Sequence, residues 1–597
     1  MAQRRGRQDK RVSTAWVLLE YWWAAGLLGA TGLLILWHLA VVATTPAQMT
    51  DFTASLVGFK VGAPLTGIPG AGIGTVVVFI LELLGLMALV FLVTLMVAKR
   101  ASRTPGKGMA SKADHKRSLT QEAVLAKEAR LWPDDGAGVP REEITFTIGR
   151  ATYGMSALDA HFGQEQHLMV LAPTGVGKTY RVTSRAALDA PGALVVTSTR
   201  PDLLDVIATS RERKGRVWVF DLLNLSSWPE PMRWNFVRGC EDSSVARARA
   251  GQIVKGGQKK ISGAAGGGDS NSEFFQDNAR DVLQCYLHAA ALSGKHTVAD
   301  IVRWGTDFET DKTAQKILRD HADADPMLAS RLNSLVTGAP ETVASTRNTL
   351  DQALSSLALR RINEQFESEE GGFDPDLFAR STDTLVIIAD NNDPTDVTNL
   401  AAMMLEEVLQ AAKRAARRTA TGRLTPPLRA VLDEVANIAP IPKFPEMLSD
   451  LRAYGIQIIF AIQSNSQARR TWGNEGAQMI VDNSAGLLIL GGIKDPNALK
   501  DMSALAGKVD VRELSTRVRD LGMKRGDQTL SEREREVLRP EEIAQLREGE
   551  ALLVTGQIPP ALLELPGWTE RPDGQKLSAE AKATGARRER AAMEALA

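Results

Sequence analysis

The chain has 597 residues, 44% of them hydrophobic and 24% charged, enough for roughly two to four domains that each bury a core. Its 71 Lys and Arg balance 71 Asp and Glu, so no global basic field draws in nucleic acid and any such contact must be local. The two cysteines, Cys240 and Cys285, stand far apart with no CxxC or Cys/His spacing, which argues against a metal knuckle or a disulfide framework and for a reduced, cytosolic bulk.

The first 98 residues differ in kind from the rest. From Trp22 to Ala43 the run WWAAGLLGATGLLILWHLAVVA has only His38 as an ionisable group. At ~1.5 Å rise per residue it is long enough to cross a ~30 Å hydrocarbon layer. A second run, Ile73 to Ala98, carries one carboxylate, Glu82, and is long enough to cross with some tilt. The first run is too long for a signal-peptide core and a second span follows it, so two transmembrane helices, about 22–43 and 73–98, are expected. Arg4, Arg5, Arg7, Lys10 and Arg11 precede the first, and Lys99, Arg100, Arg103 and Lys107 follow the second, whereas the loop between holds only Asp51 and Lys60. This asymmetry predicts that both termini are cytoplasmic.

Residues 99–141 read as a basic juxtamembrane linker, with nine Lys/Arg against three Asp/Glu between Lys99 and Arg130. Attraction to anionic lipid, worth about 1 kcal/mol per basic residue near the surface, accounts for that charge without invoking DNA. The globular part begins near Glu142. Residues 142–239 show short apolar runs, His167–Leu171, Ala193–Ser198 and Val217–Asp221, with a helix from Lys178 to Leu188, the alternation of a parallel sheet covered on both faces. Residues 240–380 then have no strand-like run. A glycine-rich stretch, 251–268, leads into apolar positions at helical spacing such as Ala279, Val282, Leu283 and Tyr286, which predicts an inserted all-α domain. Strands resume over 381–565 at Thr384–Asp390, Arg429–Asp433, Ile456–Gln463 and Gly486–Gly491, and a charged helical tail occupies 566–597.

Chemistry is expected at the carboxyl ends of these strands. His167–Leu171 runs into Ala172, Pro173, Thr174, Gly175, Val176, Gly177, Lys178 and Thr179 and then a helix. Backbone N–H groups from Gly175 to Thr179 can wrap a β-phosphate, Lys178 can bridge the β- and γ-phosphates, and the Thr179 hydroxyl can take Mg²⁺. A further strand ends in Asp433 and Glu434, one carboxylate for the Mg²⁺ shell and one to activate the attacking water. The next ends in Gln463, an amide able to sense the γ-phosphate or orient water. P-loop, paired acids and glutamine, in that order, are the arrangement of a RecA-like P-loop NTPase domain.

The segment LDEVANIAPIPKFPEMLSDLRAYGIQIIFAIQSNSQ (432–467) resembles the region around the second nucleotide motif of type IV secretion coupling proteins of the TraG/TraD kind. HLMVLAPTGVGKT, VVTSTRPDLLD (195–205), Trp234-Asn235, GGIKDPNALKDMSALAGK (491–508) and Pro559-Pro560 agree with it, and the resemblance covers most of residues 15–565. It implies a homo-hexameric ATPase anchored in a bacterial inner membrane. Such an enzyme uses ATP and Mg²⁺ to bring relaxase-bound single-stranded DNA to the components of a conjugative secretion channel and to drive its transfer. In such rings a basic residue of the next subunit reaches the γ-phosphate, and Arg452 is the first candidate here, ahead of Arg469 and Arg470. Two departures stand out: Ala172 replaces the first glycine of the P-loop, which requires φ below zero there, and Arg200-Pro201 replaces a frequent basic-glycine pair.

Lys413, Arg414, Arg417, Arg418 and Arg423 cluster at a helix end, where cations offset the helix dipole, and this reading is preferred to DNA contact; Lys255, Lys259 and Lys260 read as a channel-lining loop that tracks phosphates or as a solvated loop. A double-stranded DNA translocase of the FtsK kind would share the motor core and the anchor. A non-catalytic membrane receptor for secreted proteins is the third reading, disfavoured by the intact Lys178, Thr179, Asp433 and Glu434.

Overall fold

The computed structural model describes residues 106–128, 140, 144–154, 156–256, 270–367, 372–516 and 528–596, with isolated positions between 32 and 91. Both expected membrane runs lie essentially outside the described residues, among which no helix is long and apolar enough to cross a membrane. The chain divides into two compact units, one of residues 112–151, 159–508 and 536–597, the other of 1–111, 152–158 and 509–535.

An eleven-stranded sheet organises the larger unit. Its strands are β1 (Thr145–Tyr153), β2 (Ser156–Gly163), β3 (Leu168–Leu171), β4 (Leu194–Ser198), β5 (Val217–Phe220), β6 (Thr384–Ile388), β7 (Leu428–Leu432), β8 (Ile456–Ile462), β9 (Gly486–Leu490), β12 (Glu550–Thr555) and β13 (Ala561–Glu564). The smaller unit carries the separate hairpin of β10 (Lys508–Thr516) and β11 (Gln528–Glu536). Across the large sheet the order is β2-β1-β13-β12-β9-β3-β8-β7-β4-β6-β5. From β9 to β5 the pairing is parallel, with Leu171 beside Ile462 and Leu432 beside Phe460. Strands buried on both faces must be apolar throughout, which is why LMVL, TLVII, IQIIFAI and GLLIL are near-continuous hydrophobic runs. Two long polar side chains in this layer pair with each other: buried Arg429 donates from Nε to Gln457 Oε1 at 2.7 Å and from Nη1 to the Ala186 carbonyl at 3.0 Å.

Three features depart from the reading of the sequence. The sheet is extended by an antiparallel edge, β12 on β9, β13 on β12 and β1 on β13, where Arg150 faces Glu564. Its partners are far apart in sequence, so no local pattern announces the pairing. Residues read as linker contain two helices, Lys112–Ser118 and Gln121–Glu128, and His115, Val124 and Leu119 between the helices are buried. The C-terminal helix, Gly574–Leu596, is a docked element: it lies along the helix Asp202–Glu212, with Arg588 forked onto Asp205 at 2.7 and 2.6 Å.

Between β5 and β6 the chain is helical, with Ser243–Gly256, Ser270–Ser293, Val298–Thr306, Thr313–Asp320, Pro326–Val336 and Pro340–Leu354 as the main helices. Ser270–Ser293 is central to them and buries Ala279, Val282, Leu283 and Leu287 at helical spacing. The Cys240 and Cys285 thiols are free and buried, and burial pushes them up to about 11 and about 12, so neither is a reactive thiolate near neutral pH.

Candidate nucleotide-binding site

β3 ends in a turn that only glycine makes easily. Gly175 and Gly177 stand at φ 81° and 82°, in the left-handed region where an L side chain is strained. Ala172 is fully buried and is not among the positive-φ residues, and its N–H still donates to the Ile462 carbonyl at 3.2 Å. The alanine therefore sits where the strand is ending rather than where the loop turns. Thr179 opens a wide helical turn, Thr179–Thr183, that tightens into the α-helix Ser184–Leu188.

Four predicted residues meet at the carboxyl edge of the sheet. Lys178 Nζ donates to Glu434 Oε1 at 2.9 Å and lies 3.3 Å from Asp433 Oδ1. The Thr179 hydroxyl donates to Asp433 Oδ2 at 2.9 Å. Glu434 is one of three non-glycine residues at positive φ among those described, at 54°, a strained geometry that turns its side chain back over the P-loop. Gln463 is half-buried at the end of β8 and stabilises the ionised Glu434 carboxylate.

The electrostatics follow from burial and pairing. Burial opposes the charge on Lys178, but Asp433 and Glu434 outweigh it and hold the ammonium above its ordinary range. For Glu434 burial is likewise outweighed, by Lys178, Gln463 and Asn437, and the carboxyl is held low. Asp433 is the most deeply buried of the three, and there burial wins over Lys178 and Thr179 and raises it. Asp433 Oδ1 is buried and has no close hydrogen-bond partner, with the Lys178 ammonium 3.3 Å away. An unsatisfied carboxylate oxygen beside a threonine hydroxyl is a hard-oxygen pair of the kind Mg²⁺ takes, with phosphate and water completing the shell. No group of three or more His, Cys, Asp or Glu able to hold a metal occurs among the described residues.

Two supporting residues escaped the sequence reading. The buried Thr197 hydroxyl, at the end of β4, donates to the Asp433 carbonyl at 2.9 Å and ties the turn that presents both acids. Asn437 Nδ2 donates to Glu434 Oε2 at 3.4 Å. Their positions, at a strand end and three residues beyond the acids, are the only signals that could have found them.

Arg452 is not brought to this cluster within the chain. It is exposed in the turn that precedes β8, at the opposite end of that strand from Gln463, roughly 20 Å away at ~3.3 Å per residue. Arg469 and Arg470 are exposed on the helix Asn465–Asp482, which starts beside Gln463. Of the basic cluster near residue 415, Lys413 pairs with Asp450, Arg414 with Asp376 and Glu407, and Arg423 with Glu165, which favours a structural role. Lys259 and Lys260 lie outside the described residues.

The family described as type IV secretory system conjugative DNA transfer matches residues 109–590. The conjugal transfer protein TraG of Agrobacterium fabrum is 24% identical over 439 residues, 70% of this chain and 62% of that protein, so the match spans less than two thirds of the relative. The type IV secretion system-coupling protein VirD4 of Bartonella henselae is 22% identical over 470 residues, covering 73% and 70%. Among solved structures, the unbound monoclinic form of the bacterial conjugative coupling protein TrwBdeltaN70 is similar in fold, with a TM-score of 0.50 and 19% identity over 68% of this chain and 85% of that one.

Proposed function

The chain belongs to the type IV secretory system conjugative DNA transfer family, and from that premise we propose that it is a coupling ATPase. In this reading it recruits relaxase-bound single-stranded DNA, and possible protein substrates with it, to the components of a type IV secretion channel, and ATP hydrolysis drives the transfer. The observation that carries the proposal is the convergence of Lys178, Thr179, Asp433 and Glu434, from two segments more than 250 positions apart, at the carboxyl edge of one parallel sheet.

The roles follow from position. Backbone N–H groups of Gly175 to Thr179 bind the phosphates at the start of the helix, and Lys178 neutralises the β- and γ-oxygens. Thr179 and Asp433 would hold Mg²⁺, whose charge offsets that of the phosphates when it is bound. Glu434, kept ionised, accepts a proton from the attacking water, and Gln463 orients that water from the neighbouring strand. Arg452 of an adjacent subunit is proposed as the cation that completes the site in trans, with Arg469 and Arg470 as the next candidates.

The two apolar runs, 22–43 and 73–98, are proposed to anchor the chain in the lipids of the bacterial inner membrane, with both termini and the motor in the cytoplasm and six copies forming a ring. Lys178→Ala in the full chain should abolish DNA transfer and ATP turnover while leaving membrane insertion intact. Unchanged transfer by that variant would overturn the motor reading.

A further inference from the structure

The phosphate end of the site has a direction. In the nucleotide reading above, Lys178, Asp433 and Glu434 would meet the terminal phosphate on the β8/β7 side of β3, which leaves the side of β9, β12 and β13 for the nucleoside. On that side the first side chain beyond Thr179 is Tyr180. Its half-buried ring meets the segment that follows β13, residues 565–571.

Helix and strap are fastened to each other. Arg181 Nη1 donates to the Leu565 carbonyl at 2.8 Å, Arg185 Nη1 to the Pro566 carbonyl at 3.2 Å, and Arg571 Nη1 to Asp189 Oδ1 at 2.6 Å. The Tyr180 and Thr569 hydroxyls are hydrogen-bonded. Gly567 lies so close that a Cβ there would collide with the Tyr180 ring, and its N–H is held by Glu570 Oε1 at 2.8 Å. The outcome is an aromatic corner: the rings of Tyr180 and Trp568 stand 6.2 Å apart at 67°, both partly open to solvent, one residue past the phosphate loop.

We propose that Tyr180 and Trp568 form the nucleobase subsite of this ATPase, with the C-terminal strap supplying one wall and a stacked base, preferably a purine for its larger face, as the ligand. The proposal rests on the nucleotide reading above. It gives the strap a task in binding, because the guanidinium groups of Arg181 and Arg185 then fix Trp568 relative to the phosphate loop rather than merely packing the tail.

The test is calorimetric titration of the full-length chain in detergent with Mg²⁺ and either ATP or inorganic tripolyphosphate, which shares the phosphates and lacks the nucleoside. The wild-type protein should bind ATP roughly tenfold or more tightly than tripolyphosphate, the scale of one stacked base. Trp568→Ala should remove most of that preference while leaving the tripolyphosphate affinity unchanged, and Trp568→Phe should restore it. Equal losses for both ligands in Trp568→Ala, or no loss for ATP, would overturn the subsite. Failure of the wild-type protein to bind either ligand would instead sink the nucleotide reading itself, and the subsite with it.

Discussion

Lys178 Nζ stands 2.9 Å from Glu434 Oε1, inside a cluster in which both groups are largely buried and both are held in their charged forms. The ammonium that would meet the terminal phosphate therefore pins the carboxylate that would activate water. Phosphate oxygens competing for Lys178 would release that carboxylate, so in the proposed mechanism engagement of the phosphate and readiness of the base would be coupled through one ion pair.

Glu434→Gln should consequently separate binding from turnover. The amide keeps the shape and can still accept from Lys178, but it cannot take a proton, so the turnover rate should fall by about 10²-fold or more. Nucleotide affinity should stay within a few-fold of the wild-type value. Parallel titration and steady-state assays check this, and a matching drop in affinity would contradict it.

Thr197 offers a test of the scaffold beneath the acids. Thr197→Val leaves the buried Asp433 carbonyl without its side-chain donor, which should cost about 1–3 kcal/mol of stability and slow turnover. Thr197→Ser keeps the hydroxyl and should behave far more like the wild-type protein. Denaturant unfolding of the three proteins distinguishes a hydrogen-bonding role from one of volume.

Glu128 predicts a pH dependence away from the site. Burial pushes its carboxyl up to about 7, against the backbone N–H groups of Gln164 and Glu165 that favour the charged form. Because the folded-state value is raised, the associated stability is fully present below the unfolded value near 4.5 and is lost as pH rises through about 7. The wild-type protein should thus lose up to about 3 kcal/mol between pH 5 and 8 relative to Glu128→Gln. Equal pH slopes for the two proteins would contradict the assignment.

Ala172→Gly, which restores the usual first P-loop glycine, should leave turnover unchanged. Ala172 avoids positive φ and is completely buried, so glycine relieves no strain there and adds only backbone freedom, destabilising by about 0.5–1 kcal/mol. A large gain in activity would show that the alanine hampers the loop.

What could be read in the sequence was what is local in structure. Strands buried on both faces leave unbroken apolar runs such as Leu168–Leu171 and Ile456–Ile462, and the residues with chemistry stand directly at their carboxyl ends. The edge strands β12, β13 and β1 were missed because their definition lies in pairings such as Arg150 with Glu564. Long-range fastening was equally invisible: Trp568 meets Tyr180 and Arg588 meets Asp205 only because β13 returns the chain beside β12 and delivers its last segment to the front of the sheet. Arg452 shows how sequence proximity differs from spatial proximity within one chain, and its expected role in trans does not depend on that distance. A position close in sequence to Gln463 is remote from it in space, because a straight strand lies between them.

The central claim, that this site is an ATP-driven motor acting on single-stranded DNA, is tested most directly by the ATPase activity of the full-length chain without DNA, with single strands and with duplex, across a salt series. Single strands should stimulate turnover, and the stimulation should weaken as salt rises and disappear in Lys178→Ala. Stimulation by duplex alone, or activity that survives Lys178→Ala, would contradict it.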